Sequence, residues 1–120
     1  MKVTIKLGRN EVGRPVAEEV PLKTVLVRYK THDDKAAENE ALIHAVFDEL
    51  RETAPAGMRY ATFKLDDGSS FVHLAIVDTV DGSNPLSSLE SFARFQEDID
   101  ERCVEGPAPA GLVPIDAYGF

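Results

Sequence analysis

The chain has no tryptophan, a single cysteine and only three histidines in 120 residues. One cysteine, Cys103, excludes an internal disulfide. No Cys/His spacing of the C-x2-C kind is available to a structural zinc site, so no metal is expected. The sequence also lacks G-x-S-x-G, a P-loop and a dinucleotide-type glycine pattern. Basic residues are in deficit: 13 Lys and Arg against 21 Asp and Glu give a formal net charge of −8. Nucleic-acid recognition needs a basic stripe to neutralise phosphates, and an anionic membrane surface repels the same charge, so neither partner is expected. No apolar run approaches the roughly 18 residues of a membrane span. Met1–Asn10 carries isolated apolar residues between lysines, unlike the apolar core of a signal peptide. A cytoplasmic location is expected.

What is present is an ordinary globular composition, 43% hydrophobic and 28% charged, long enough for one domain with its own core. From Lys23 onward the patterns follow an order. Thr24-Val25-Leu26-Val27-Arg28-Tyr29 is a dense β-branched run with an aromatic end, within a strand over Lys23–Lys30. A helix over Asp34–Thr53 follows, with Asn39, Ile43, Val46, Phe47 and Leu50 on one face and Glu40, His44, Asp48 and Arg51 on another. Thr53-Ala54-Pro55-Ala56-Gly57 ends it, because proline cannot continue the ladder. Met58–Leu65 and Ser70–Thr79 flank Asp66-Asp67-Gly68-Ser69. An Asp-Gly pair between β-rich runs predicts a type I′ hairpin. Ser87-Ser88-Leu89-Glu90 has the form of a capping box opening a helix over Ser88–Cys103. Its inward face carries Leu89, Phe92, Gln96, Ile99 and Cys103, with Phe95 beside it. Gly106-Pro107-Ala108-Pro109 predicts a break, and a final strand is expected within Leu112–Phe120.

This β-α-β-β-α-β order predicts an α+β, ferredoxin-like domain over residues 23–120, an antiparallel sheet with both helices on one face. Residues 1–22 are expected to be an extension. Lys2-Val3-Thr4-Ile5-Lys6-Leu7 alternates like a half-buried strand, which an extra edge strand would explain. Gly8–Pro15 reads as a loop and Val16–Pro21 as a linker. In the strand around His73 both faces are mostly apolar: Val72, Leu74 and Ile76 on one, Phe71, Ala75 and Val77 with His73 on the other. Two helices cover one face, so a partner subunit is the simplest cover for the second.

The strand Val25-Leu26-Val27-Arg28-Tyr29, the first helix with Glu38-Asn39-Glu40, the strand Phe71-Val72-His73-Leu74 and the later helix with Phe92 and Phe95 together resemble the dimeric α+β barrel superfamily. Within it they resemble the antibiotic-biosynthesis monooxygenase-like domains. The resemblance covers roughly residues 23–120. It implies a homodimer whose sheets face each other to close a barrel, a pocket between sheet and helices in each subunit, and members that include oxygenases working without a cofactor, haem-degrading enzymes, isomerases and proteins without demonstrated activity. The oxygenases and haem degraders usually carry a tryptophan near the end of the third strand, about where Val77 stands. The haem-degrading branch also places an iron-ligating histidine on the later helix, and Ser88–Cys103 has none.

Candidate site residues follow. His73 lies mid-strand in an apolar run, where a polar side chain needs a reason. It could serve as a base near neutral pH or orient a phenol or enol; the alternative is a core imidazole bonded to a carbonyl or tyrosine. Asn39, one turn before Ile43 on the inward helix face, could polarise a ligand oxygen or simply bond a nearby loop. Tyr60 could donate into a pocket or pack its ring, and Tyr29 reads the same way. Phe92 and Phe95 suit a flat apolar ligand or simple core, with Gln96 at the rim. Arg28 would need an acidic partner if buried. Cys103 reads as a buried filler, and His32 and His44 as surface residues. Together with these residues, the resemblance implies a cofactor-independent monooxygenase-like protein acting on a small aromatic or quinol-type molecule, with His73 and Asn39 as catalytic residues and Tyr60, Phe92, Phe95 and Gln96 binding the substrate. The alternative is a non-catalytic dimeric ligand-binding or stress-related protein.

Overall fold

A computed structural model describes the backbone of residues 2–9 and 15–21, and backbone and side chains of residues 23–119. Strands β1 (Lys2–Arg9) and β2 (Pro15–Pro21) pair antiparallel as a two-stranded sheet of their own. The segment Val16–Pro21, expected as a linker, is therefore strand. Residues 10–14 of the expected loop lie outside the described residues.

The main sheet contains β3 (Lys23–Thr31), β4 (Met58–Lys64), β5 (Ser70–Val77) and β6 (Cys103–Leu112) in the order β4-β5-β3-β6, every pairing antiparallel. Helix α1 spans Ala36–Thr53, and α2 and α3 span Glu90–Glu97 and Ile99–Arg102. The order β3-α1-β4-β5-α2-β6 is the ferredoxin-like fold expected from the sequence. Among the described residues, no helix is long and apolar enough to cross a membrane.

Cross-strand partners share a face, and faces alternate along each strand. The pairs Tyr29↔Phe71, Val27↔His73 and Tyr60↔Ala75 therefore put Tyr29, Val27, Tyr60, Phe71, His73 and Ala75 on one side. Tyr29 and Phe71 are buried there with Ile43 and Val46 of α1 and with Leu86, Leu89 and Phe95. The other side carries Leu26, Val72, Leu74, Ile76, Ala61 and Phe63. Phe63 is 57% exposed, because no helix lies on that face. Arg28 shares this face and is exposed, so the condition for a buried ion pair is absent.

Four local expectations are corrected. The last strand is Cys103–Leu112, and residues 113–119 form no strand; Phe120 lies outside the described residues. Pro107 and Pro109 are tolerated because β6 is an edge strand. Two residues apart, their missing N–H groups fall on the same side, which can face away from β3. The hairpin closes through Gly68 N–H to the Leu65 carbonyl, 3.0 Å, with only Gly68 at positive φ, +78°. This is a turn with one left-handed glycine, not type I′, which needs two such residues. Asp67 fixes it: its carboxylate accepts from the Ser69 and Ser70 N–H groups and the Ser70 hydroxyl. Ser70's hydroxyl and then its N–H hold the Asp67 pKa down at about 2.

The second helix is likewise not one continuous rod with a capping box. Pro85–Ser88 is a 3-10 turn capped by Asn84, and the chain breaks between α2 and α3 at Asp98. The start of α2 is capped from elsewhere. Glu49 on α1 accepts from the Ser91 N–H at 2.9 Å and from the Ser91 hydroxyl at 2.5 Å. A distant carboxylate thus does the work assigned to Ser87 and Glu90, and it ties the two helices together.

Candidate functional site

Between sheet and helices lies a cavity of about 420 Å³, within the range of small-molecule sites. Its sheet wall is Val25, Val27, Tyr29, Tyr60, His73, Ala75 and Val77; its helix wall is Leu86, Phe92, Phe95, Gln96 and Ile99. The lining is mainly apolar; its polar side chains are His73 and the two tyrosines on the sheet wall, and Lys23, Asn84 and Gln96 elsewhere in the lining.

His73 is 6% exposed. A strand interior offers its backbone groups to neighbouring strands, so the imidazole must find side-chain partners. It finds two phenols. Tyr60 Oη lies 2.5 Å from Nδ1 and Tyr29 Oη 2.7 Å from Nε2. Thr62 Oγ1 is a more distant neighbour of Nδ1 at 3.4 Å. The register places these groups: β4 and β3 flank β5, with Thr62 and Val27 opposite His73 and with Tyr60 and Tyr29 each two positions along. Burial pushes the His73 pKa down to about 4, so the ring is neutral at pH 7. Burial likewise pushes the Tyr60 hydroxyl up to about 12 and Tyr29 further still, the Asn39 hydrogen bond opposing the rise at Tyr29.

Asn39 is fully buried and does not line the cavity. Its Nδ2 donates to Tyr29 Oη at 2.8 Å, and its Oδ1 accepts from Arg102 Nε at 3.1 Å. Arg102 is 3% exposed. It also donates to the Phe95 carbonyl at 2.6 Å and lies over the Phe95 ring. Phe92 and Phe95 stack at 6.2 Å between centroids and form one wall, with Phe95 5.3 Å from the His73 ring. Gln96 is exposed at the rim. Cys103 is half-buried, its thiol pKa raised by burial; His32 and His44 are exposed. The structure therefore brings His73, Tyr60, Phe92, Phe95 and Gln96 around one cavity and sets Asn39 behind it.

Tyr29, which the sequence offers as either a pocket donor or a packed ring, joins His73 to Asn39. Arg102 is the member that the sequence pattern does not single out. Arg102 follows Phe95 by seven residues and Ile99 by three, the spacing of one helical face. That spacing is the signal that could have found it. Among the described residues, no group of three or more His, Cys, Asp or Glu side chains is arranged to hold a metal ion.

No protein-family model matches the sequence, and no curated protein does. Solved structures match in fold. An antibiotic biosynthesis monooxygenase candidate from Caulobacter crescentus superposes with a TM-score of 0.66 at 15% identity, over 81% of this chain and 92% of that one. The cofactor-independent oxygenase SnoaB from Streptomyces nogalater gives 0.61 at 14% identity, over 82% and 98%. A dimeric ferredoxin-like protein of unknown function from Jannaschia gives 0.59 at 13% identity, over 78% and 100%. Identities this low establish a shared fold: the main sheet and its helices have the architecture of the antibiotic biosynthesis monooxygenase-like structures.

Proposed function

We propose that the cavity binds a small aromatic or quinol-type molecule and that the protein acts on it as a cofactor-independent monooxygenase. The observation that carries this reading is the combination in one cavity of an aromatic wall, Phe92 and Phe95, with a hydrogen-bonded polar patch on the sheet, Tyr60–His73–Tyr29. A fold shared with a cofactor-independent oxygenase supports it. In such a reaction a CH2 group of the substrate becomes a carbonyl. One atom of dioxygen enters the product and the other leaves as water, the substrate supplying all four electrons. An imidazole with a pKa near 4 is a weak base, so His73 acts by orienting Tyr60 against the substrate oxygen rather than by removing a proton itself. Asn39 acts from behind, through Tyr29.

Enzyme-dependent dioxygen uptake with anthrone, whose ring CH2 would become the second carbonyl of anthraquinone, measured for the wild type, His73→Ala and Tyr60→Phe, tests the reading. The wild type should turn over and both variants should lose about tenfold or more. Equal uptake by wild type and His73→Ala would refute the assignment. One observation favours a second reading, a non-catalytic binding protein: the chain has no tryptophan, and the cavity wall carries Val77 where the oxygenases usually place one. Saturable naphthoquinone binding without any uptake would select it.

The helix-free face supports a homodimer within the same reading. Leu26, Val72, Leu74, Ile76, Ala61 and Phe63 form an apolar surface. A second copy of the chain covers such a surface with the same residues, and a dimer is described for the Jannaschia structure.

A further inference from the structure

The hydrogen bonds from Arg102 to Tyr60 can run in only one direction. A guanidinium donates and never accepts. The Asn39 atom facing Arg102 Nε must therefore be its carbonyl oxygen, which turns Nδ2 toward Tyr29 as a donor. With Asn39 donating to its oxygen, Tyr29 keeps its own hydrogen for His73 Nε2, 2.7 Å away. The reverse arrangement would leave the Tyr29 hydroxyl hydrogen buried without an acceptor, an unpaired donor that the fold avoids. Nε2 then accepts, and the imidazole proton resides on Nδ1, which donates to Tyr60 Oη. The Tyr60 hydroxyl hydrogen is then not taken by His73, which leaves it for the neighbouring Thr62 hydroxyl or for an acceptor in the cavity that Tyr60 lines.

We propose that Arg102 and Asn39 are positioning residues that hold His73 as the Nδ1–H tautomer, so that Tyr60 presents a hydroxyl donor to a ligand bearing an acceptor oxygen such as a quinone carbonyl. The ligand half of this inference rests on the cavity reading above; the tautomer half stands without it. The order of the relay makes it invertible. In Asn39→Asp the residue can no longer donate to Tyr29. Tyr29 turns its hydrogen to the carboxylate, accepts from Nε2, and Nδ1 becomes an acceptor for Tyr60. One nearly isosteric change reverses every bond up to Tyr60 and withdraws the donor from the cavity.

The test is a long-range proton–nitrogen NMR spectrum of the ligand-free protein at pH 7, in a His32→Gln, His44→Gln background that leaves one imidazole. Both replaced sites are exposed. The expected spectrum has Nδ1 protonated and Nε2 unprotonated, and Asn39→Asp exchanges the two. A proton on Nε2 in the unaltered relay overturns the inference, and this measurement needs no relay variant to fold. An unchanged tautomer in Asn39→Asp overturns it too. The ligand half is read by binding of 1,4-naphthoquinone against naphthalene. The quinone should bind several-fold tighter to the wild type, and the preference should vanish in Tyr60→Phe and in Asn39→Asp. Equal binding by the wild type overturns the donor assignment. Failure of both probes to bind overturns the cavity reading, while the spectra still decide the tautomer.

Discussion

A histidine enclosed between two phenols binds protons less readily than the same residue in an unfolded chain. For His73 the difference runs from 6.5 down to about 4. Between those values the unfolded state binds the extra proton and the folded state does not, so stability rises with pH across this window. In full at neutral pH, the contribution is lost as pH falls from 6.5 toward 4, on the order of 3 kcal/mol. Denaturant unfolding of the wild type between pH 4 and 7 should show this slope, and His73→Gln should flatten it. Asp67 titrates lower: its pKa is depressed from 3.8 to about 2, and its contribution goes only as pH falls through that range. Arg102 adds the residue-scale lesson. A buried cation whose bonds go to an amide oxygen and a backbone carbonyl contributes direction rather than attraction, because it can only donate.

At the scale of elements, helix ends and close approaches set the geometry around the cavity. Helix α1 ends on Ala54 at φ +45°, its N–H bonded to the Leu50 carbonyl. This left-handed conformation is costly for a residue with a Cβ and free of that cost for glycine. Ala54→Gly should raise stability by about 0.5–1 kcal/mol, measured as the shift in urea midpoint. Gly57 presents the opposite case. At φ +80° a Cβ would stand 2.7 Å from Thr79 Cγ2. Gly57→Ala should lose at least about 2 kcal/mol in the same assay, because strain and clash add. A Gly57→Ala protein as stable as the wild type would contradict the close packing of these two chain segments.

On the scale of the whole molecule, one sheet has two apolar faces and helices on only one of them. The residues of the uncovered face come from three adjacent strands, so a charge at the middle of β5 should disrupt whatever covers them. Sedimentation of the wild type should give twice the 13.1 kDa chain mass, and Leu74→Asp should give the single chain at micromolar concentration. His73, its neighbour in sequence, points to the other face, so the far-ultraviolet circular dichroism of Leu74→Asp should be unchanged. A wild type already at the single-chain mass would refute the dimer.

Order and period were legible in the sequence alone. Apolar spacing of 3.6 and 2 residues is written locally, and it determined the strand–helix order, the buried face of α1 through Asn39, Ile43 and Val46, and the alternation that turns His73 toward the helices. Local chemistry was less decisive wherever a distant group competes with a neighbour. Ser87 and Glu90 form a capping pattern, yet Glu49 supplies the cap. The prolines of Gly106–Pro109 look like a break, yet an edge strand tolerates them. Only the tertiary structure decided which side chains meet. Arg102, Asn39, Tyr29, His73 and Tyr60 come from five elements spread over more than 70 positions of the chain. Hydrogen bonds act over about 3 Å, and only the closed fold brings those residues within that distance.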